Sequence, residues 1–107
     1  MTKKIANIVK EAVRKIVDGY HPDKIILFGS AANETSKEVN DLDFLIVKQS
    51  NLRRDLRDEE IRKLLFKVVF PMDIFVYTPE EYEQYKNLPG SFMGKIAKTG
   101  KVLYESN

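Results

Sequence analysis

Two short segments organise this sequence: Phe28-Gly29-Ser30 and, ten residues later, Asp41-Leu42-Asp43-Phe44-Leu45-Ile46-Val47. The first segment ends a hydrophobic run, and the second opens a new run with two aspartates. Residues two apart on an extended strand point to the same side, so a strand over 41–47 would aim Asp41 and Asp43 at one spot. Two carboxylates held that close repel each other unless a cation lies between them or one of them is protonated. Oxygen ligands in this arrangement suit a hard divalent ion such as Mg²⁺.

Length and composition favour one globular domain over residues 1–107. The chain has 43% hydrophobic and 32% charged residues and no low-complexity tract, a balance that is typical of a folded domain. It contains no cysteine, which excludes disulfides, thiolate catalysis and cysteine-ligated zinc. No apolar run is long enough to span a bilayer and the first residues do not form a signal peptide, so we expect a cytoplasmic protein that does not associate with membranes.

The charges argue against a dedicated nucleic-acid binder. The net charge is +2, and acids and bases are mixed along the chain without a basic stripe, so direct nucleic-acid binding is not expected. The locally basic stretch 52–68 also contains four acids, which favours a solvated helix face over a nucleic-acid patch. The single histidine, His21, stands beside a proline, and we expect it in a surface loop and not in catalysis.

Periodicity and turn residues predict the elements of the first half. Apolar residues at intervals of three and four predict an amphipathic helix over 4–18, with Thr2 as its N-cap and Gly19 as its C-terminal stop. A strand follows over 24–28. Ala31-Ala32-Asn33-Glu34 resembles the first turn of a short helix whose N-terminus would attract anions, and 35–40 is predicted to be a loop.

The second half continues the alternation of strands and helices. The predicted elements begin with a strand over 41–47 buried on both faces, a helix over 52–68 and a strand over 69–77 limited at its start by Pro71. A helix follows with Thr78 as N-cap and Pro79 in its first turn, and it ends near Pro89-Gly90. The chain then continues with a short helix over 92–98 that ends at Gly100 and a closing strand over 101–104. This order predicts an α+β fold: a small central mixed sheet of three to four strands with helices packed on it.

A third carboxylate, Asp73, lies inside the apolar strand predicted over 69–77. An aspartate in such a run costs free energy unless it has a partner. It could cap a nearby helix or turn, or face water at a strand edge. Because Asp41 and Asp43 already call for a cation, we interpret Asp73 as a third metal ligand.

Taken together, Gly29-Ser30, Asp41-Leu42-Asp43 and Asp73 closely resemble the signature of the DNA polymerase beta-like nucleotidyltransferase superfamily. The compact length is similar to that of its minimal nucleotidyltransferases, the MntA type, which are often paired with a HEPN-domain protein. The resemblance covers nearly the whole chain, from the leading helix to the closing strand. It implies a palm-like nucleotidyltransferase fold.

The resemblance also implies an activity and a set of site residues. Asp41 and Asp43 would hold two Mg²⁺ ions, and Asp73 would complete the metal site and help deprotonate an attacking hydroxyl. Gly29 and Ser30 would hold the outer phosphates of a nucleoside triphosphate. The implied reaction transfers AMP from ATP to a hydroxyl of a partner protein, with the chain as the antitoxin of a HEPN toxin pair. Phosphoryl-type transfer depends mainly on positioning and charge neutralisation, which these residues would supply.

Two departures from the family pattern leave alternatives open. Many relatives have an arginine and a glycine soon after the Gly-Ser pair, where this chain reads Ala31-Ala32-Asn33-Glu34, and Asn40 replaces the usual serine or threonine before the first aspartate. One alternative is a binding module that neutralises its partner by occlusion. Another is an α/β domain whose aspartates only cap turns. A homo-oligomer is also compatible with the sequence.

Overall fold

The computed structural model describes residues 1–33 and 38–107. Within these ranges the elements are α1 (Lys3–Tyr20), β1 (Lys24–Phe28), β2 (Leu42–Val47), α2 (Glu59–Leu64), β3 (Met72–Tyr77), α3 (Pro79–Tyr85), α4 (Phe92–Thr99) and β4 (Lys101–Glu105), with 3₁₀ turns at Gly29–Ala32 and Arg54–Leu56. None of the helices in the described ranges has the length and apolar character that a membrane crossing requires.

The four described strands form one mixed sheet in the order β3–β2–β1–β4. β1 is antiparallel to both β2 and β4, whereas β2 and β3 are parallel and are joined through α2. The register sets Phe28 opposite Asp43, and it sets Asp43 level with Asp73. The α+β fold with a small mixed sheet is therefore confirmed.

Strand alternation divides the interior into two cores, one on each face of the sheet. On one face α1 and α2 cover a core that includes Ile16, Leu27 and Phe44. On the other face α3 and α4 cover a smaller core that includes Leu45 and Met93. Because β2 contributes to both cores, five of its six residues are buried, as its apolar sequence predicts.

The structure confirms the predicted N-terminus of α1 but not its predicted C-terminus. Thr2 is the N-cap, and its hydroxyl oxygen accepts a hydrogen bond from the Ile5 N–H at 3.2 Å. The prediction that Gly19 stops the helix is wrong, since α1 continues to Tyr20 and ends at His21, which adopts a left-handed conformation with φ 54°. Gly19 instead makes room for α2: a Cβ there would lie 2.6 Å from Cδ2 of Leu64. His21 is exposed, as expected for a loop residue.

The long helix predicted over 52–68 is wrong. The structure has only the 3₁₀ turn Arg54–Leu56 and the six-residue α2. Leu52 and Leu56 do not face the core, since 55% and 47% of their surfaces are exposed. The backbone bends there because Arg57 turns inward and its Nε donates a hydrogen bond to the Leu52 carbonyl at 2.8 Å.

The remaining boundaries differ by a few residues. β3 begins at Met72 and not at Val69, since Pro71 precedes it without an N–H and Val69 is 89% exposed. α3 has the predicted Thr78 cap and Pro79 but ends at Tyr85. α4 runs to Thr99 with Gly100 as its C-cap. β2 begins at Leu42, one residue later than predicted. β4 extends one residue further, to Glu105.

An ion pair between the buried Arg57 and the partly buried Glu81 ties α3 to β3 and to the bent segment before α2. Arg57 is only 8% exposed, and its Nη1 donates to Oε1 of Glu81 at 2.6 Å and to the Val76 carbonyl at 3.2 Å. Glu81 also accepts from the Thr78 N–H at 2.8 Å in a capping box. Burial alone would raise the pKa of Glu81, but hydrogen bonds from Arg57, the Thr78 backbone and Arg54 outweigh it and lower the pKa to about 2.

We expect Glu81→Gln to lower the free energy of unfolding at pH 7 by about 1 kcal/mol, because it removes the charge from these hydrogen bonds. The folded pKa of Glu81 is depressed, so its contribution is present above pH 4.5 and is lost as the pH falls towards 2. Urea unfolding at several pH values should therefore show that the difference in unfolding free energy between the wild type and Glu81→Gln becomes smaller from pH 4.5 to pH 2. Glu83→Gln, at an exposed position on the same helix, is the control and should change stability little at any pH. A difference that stays constant down to pH 2 would contradict the assignment.

Candidate functional site

The structure brings Asp41, Asp43 and Asp73 together at one end of the β2–β3 pair. Each offers a carboxylate oxygen, and these three oxygens all lie within 4.8 Å of one another. Asp43 and Asp73 are level with each other on neighbouring parallel strands, so their side chains point to the same face. Asp41 lies one residue before β2 and reaches the same spot from the incoming loop. We call these three residues the acidic triad.

Burial and neighbouring negative charges disturb the ionisation of Asp43. Its pKa is raised to about 6, first by burial, then by the negative charge of Asp41, by a hydrogen bond that the protonated Asp43 donates to Asp73, and by the negative charge of Asp73. A carboxyl group that ionises only near pH 6 among other carboxylates lowers its free energy when a cation neutralises the cluster. The electrostatics of the protein alone therefore favour a bound cation.

The donor set of the triad fits a divalent metal ion. Carboxylate oxygens are the ligands that Mg²⁺ prefers, and ligands on opposite sides of one ion are about 4.2 Å apart. The three triad oxygens lie within 4.8 Å of one another, which is close enough for them to share one ion. Two of the three aspartates are half-buried and Asp73 is exposed, so the site keeps an open side for a substrate. The geometry suits metal-assisted chemistry on a phosphate ester or anhydride.

Gly29 is required by the triad as well as by its own turn. Its φ is +75°, a backbone conformation that residues other than glycine rarely adopt. A Cβ built at this position would also collide with Oδ2 of Asp43. The glycine at the end of β1 thus lets the backbone pass directly beside the Asp43 carboxylate. The sequence predicts a turn here, but only the packing shows that Asp43 fills the space of the missing side chain.

The turn after Gly29 differs from the prediction. Ala31 and Ala32 do lie in a helical turn, but it is the single 3₁₀ turn Gly29–Ala32, which begins two residues earlier than predicted and ends before Asn33, where the backbone is extended. Glu34 and the part of the predicted loop at 35–37 lie outside the described residues. Ser30 is exposed on this turn, next to the glycine that contacts the triad. The predicted roles of Gly29 and Ser30 in phosphate binding stay predictions, as do the catalytic roles of the aspartates.

Three phenylalanines that the sequence analysis did not single out lie beside the triad. Phe28, Phe75 and Phe92 contact one another, with ring centroids 5.5–5.9 Å apart. Strand alternation could have placed Phe75 on the face of Asp73, because the two residues are two positions apart on β3. The approach of Phe92 from α4 could only come from the tertiary structure.

A comparison with known protein families gives a match that covers most of the chain. A family model described as "Polymerase beta, Nucleotidyltransferase" matches residues 11–107. The match includes Gly29, Ser30 and all three aspartates. The comparison with curated proteins gave no match.

We expect Asp43→Asn to stabilise the metal-free protein at pH 7 by about 1 kcal/mol, allowing for solvent screening of this half-buried group. The folded pKa of Asp43 lies above its ordinary value of 3.8, so ionising it costs stability as the pH rises from about 4 through 6. Urea unfolding in the presence of a chelator should show the gain at pH 7 and its loss near pH 4. Asp23→Asn, at an exposed position outside the triad, should show neither effect. A destabilised Asp43→Asn protein at pH 7 would contradict this account.

A second prediction compares two glycines that both have positive φ. Gly29→Ala should weaken Mn²⁺ or Mg²⁺ binding by about tenfold or more, because the new methyl group displaces the Asp43 carboxylate. Gly90→Ala is the matched control, since Gly90 has φ +79° and open space around its Cβ position. Both variants should lose some stability through backbone strain. Isothermal titration with the metal should separate them, and equal affinities would disprove the role of Gly29 at the triad.

Proposed function

The chain belongs to the polymerase beta nucleotidyltransferase family, and we propose that it is a Mg²⁺-dependent enzyme of the minimal, MntA type that transfers AMP from ATP to a hydroxyl of a partner protein. The observation that carries this proposal is the convergence of Asp41, Asp43 and Asp73, whose carboxylate oxygens lie within 4.8 Å of one another. Nucleotidyl transfer needs charge neutralisation and alignment at the α-phosphorus more than it needs a covalent helper. An acidic triad on a rigid sheet is suited to both tasks.

The three carboxylates divide the work according to their position. Asp41 and Asp43 would hold Mg²⁺, which when bound neutralises the triphosphate and makes its α-phosphorus more electrophilic. Asp73 would complete the ligand set. As the exposed member of the triad it is also placed to accept the proton of the attacking hydroxyl at a carboxylate oxygen. Because the pKa of Asp43 is raised to about 6, this side chain would release a proton on cation binding at a pH near or below 6 and would already be mostly ionised at pH 7.

The glycine turn would position the leaving group. Gly29 lies against the Asp43 carboxylate, so phosphates extending from the triad would meet the exposed residues Gly29 and Ser30 at the start of the turn Gly29–Ala32. The Ser30 hydroxyl and the backbone N–H groups of this turn are the donors that we assign to the β- and γ-phosphates. Their role is to keep the pyrophosphate in line with the bond that breaks.

The acceptor in this proposal is a tyrosine hydroxyl of a HEPN-domain toxin, which the chain would silence as its antitoxin. The resemblance to minimal nucleotidyltransferases supports this choice of partner. The exposure of Asp73 on β3, an edge strand of the described sheet, supports an acceptor presented by another protein. A protein loop can approach such an edge without entering a deep cleft.

A second candidate function is neutralisation of the same partner by occlusion. One observation favours it: the turn Gly29–Ala32 carries no cationic side chain, whereas the family that the chain resembles often has an arginine soon after the Gly-Ser pair. In that case the triad could bind a nucleotide without transferring it. The two functions differ in what they require of the carboxylates.

We expect α-³²P-labelled ATP with Mg²⁺ to label a candidate HEPN-domain partner in the presence of this chain. The double variant Asp41→Asn and Asp43→Asn should reduce labelling by about 100-fold or more, since the metal site loses two ligands. It should also fail to silence the partner's toxicity. Asp23→Asn is the control and should retain both activities. A double variant that still silences the partner would support occlusion, and labelling that persists in it would disprove the assigned site.

A further inference from the structure

A partly exposed aromatic cluster borders the acidic triad, and the proposed reaction gives it no role so far. Phe28, Phe75 and Phe92 make edge or tilted ring contacts with one another. Phe28 is half-buried, whereas 37% of Phe75 and 49% of Phe92 are exposed. We call these three residues the aromatic patch. These two rings expose apolar surface to water. An aromatic ligand could cover that surface.

The sheet register fixes the patch against the triad. Phe28, Asp43 and Asp73 form one row across β1, β2 and β3, and their side chains point to the same face. Phe75 lies two residues further along β3 on that face, about 6.6 Å from Asp73 along the strand. Phe92 reaches both other rings from α4. The patch therefore begins where the triad ends, on the same face of the sheet.

We propose that the aromatic patch binds the base of the nucleoside triphosphate whose phosphates occupy the triad. This inference rests on the proposed function and assigns the base subsite of the same reaction. In a nucleotide the ribose separates the α-phosphate from a flat aromatic base. A nucleotide whose α-phosphate lies at the triad can therefore place its base on the patch, which lies about two residues further along the strand.

The position of the patch favours the base over the acceptor side chain as its occupant. β3 is an edge strand, so the exposed Asp73 leaves one side of the triad open for a partner protein. Phe28 lies on the other side of Asp43 from Asp73, towards the interior of the sheet. A ligand lying over the patch, from Phe28 on β1 to Phe75 further along β3, thus leaves the end of β3 at Asp73 open to the acceptor.

Stacking on phenylalanine has a consequence for specificity. Every base has a π-face, and aromatic stacking distinguishes bases weakly compared with hydrogen bonds to their edges. We therefore expect the patch to contribute affinity for all four nucleoside triphosphates, with purines favoured by their larger ring area. Selection of ATP, if it occurs, would come from groups other than these three rings.

The test compares Mg-ATP with Mg-tripolyphosphate, which has the phosphates but no base, by isothermal titration. The double variant Phe75→Leu and Phe92→Leu keeps apolar side chains and removes the π-faces. It should weaken ATP binding at least about fivefold and leave tripolyphosphate binding unchanged. Phe66→Leu is the matched control, because Phe66 is 76% exposed and lies just after α2, which packs on the other face. Phe92→Trp enlarges the ring at the most exposed position and should tighten ATP binding only.

Each result has a defined meaning. Equal ATP affinity in the wild type and the leucine variant would overturn the base subsite and leave the proposed function intact. An unchanged ATP affinity with reduced transfer to the partner would assign the patch to the acceptor and also overturn the inference. A wild-type protein that binds tripolyphosphate as tightly as ATP would also overturn the base subsite, because the base would then contribute no affinity. A wild-type protein that binds neither ligand would disprove the proposed function, and the subsite with it.

Discussion

The repulsion among three carboxylates on one face of a sheet is the constraint on which the rest of this structure depends. Parallel pairing of β2 with β3 sets Asp43 level with Asp73, and the loop before β2 adds Asp41. The backbone of Asp43 and Asp73 is held in place, because β2 and β3 continue into the buried cores. Burial, together with this repulsion, raises the pKa of Asp43 to about 6, and a divalent cation would relieve the repulsion. In the metal-free protein, the acidic triad therefore lowers the free energy of unfolding at neutral pH.

The scaffold around the triad is arranged to keep it rigid. β2 is buried on both faces, so neither its register nor its tilt can change without disturbing two cores. The Arg57–Glu81 pair holds α3 and the end of β3 together, and the capping box of α3 shares the same glutamate. Gly29 adds a backbone element in direct contact with Asp43. Preorganisation of this kind is what nucleotidyl transfer requires of a protein, since the metal and the nucleotide supply the reactive groups.

Much of the fold could be predicted from local patterns, and the failures have local reasons. β1, the Thr2 and Thr78 caps and the apolar body of β2 follow from periodicity and capping chemistry. The helix predicted over 52–68 failed because Arg57 turns inward to a glutamate 24 residues away, a partner that no local window contains. Gly19 does not end the helix, and the lack of a side chain at this position instead allows Leu64 to pack against it. Asp41 and Asp43 could be paired by spacing alone, whereas the patch formed by Phe28, Phe75 and Phe92 could not.

The sequence by itself determined the α+β class, the candidate site residues and the family, because these depend on residue types at short, fixed spacings. The tertiary structure alone decided that Asp73 lies level with Asp43, that Asp43 occupies the space beside Gly29, and that three phenylalanines adjoin the triad. These facts depend on strand order and register, which arise from contacts between segments far apart in the chain. Hydrophobic alternation indicates which face a residue occupies, but it does not indicate which strand lies next to it.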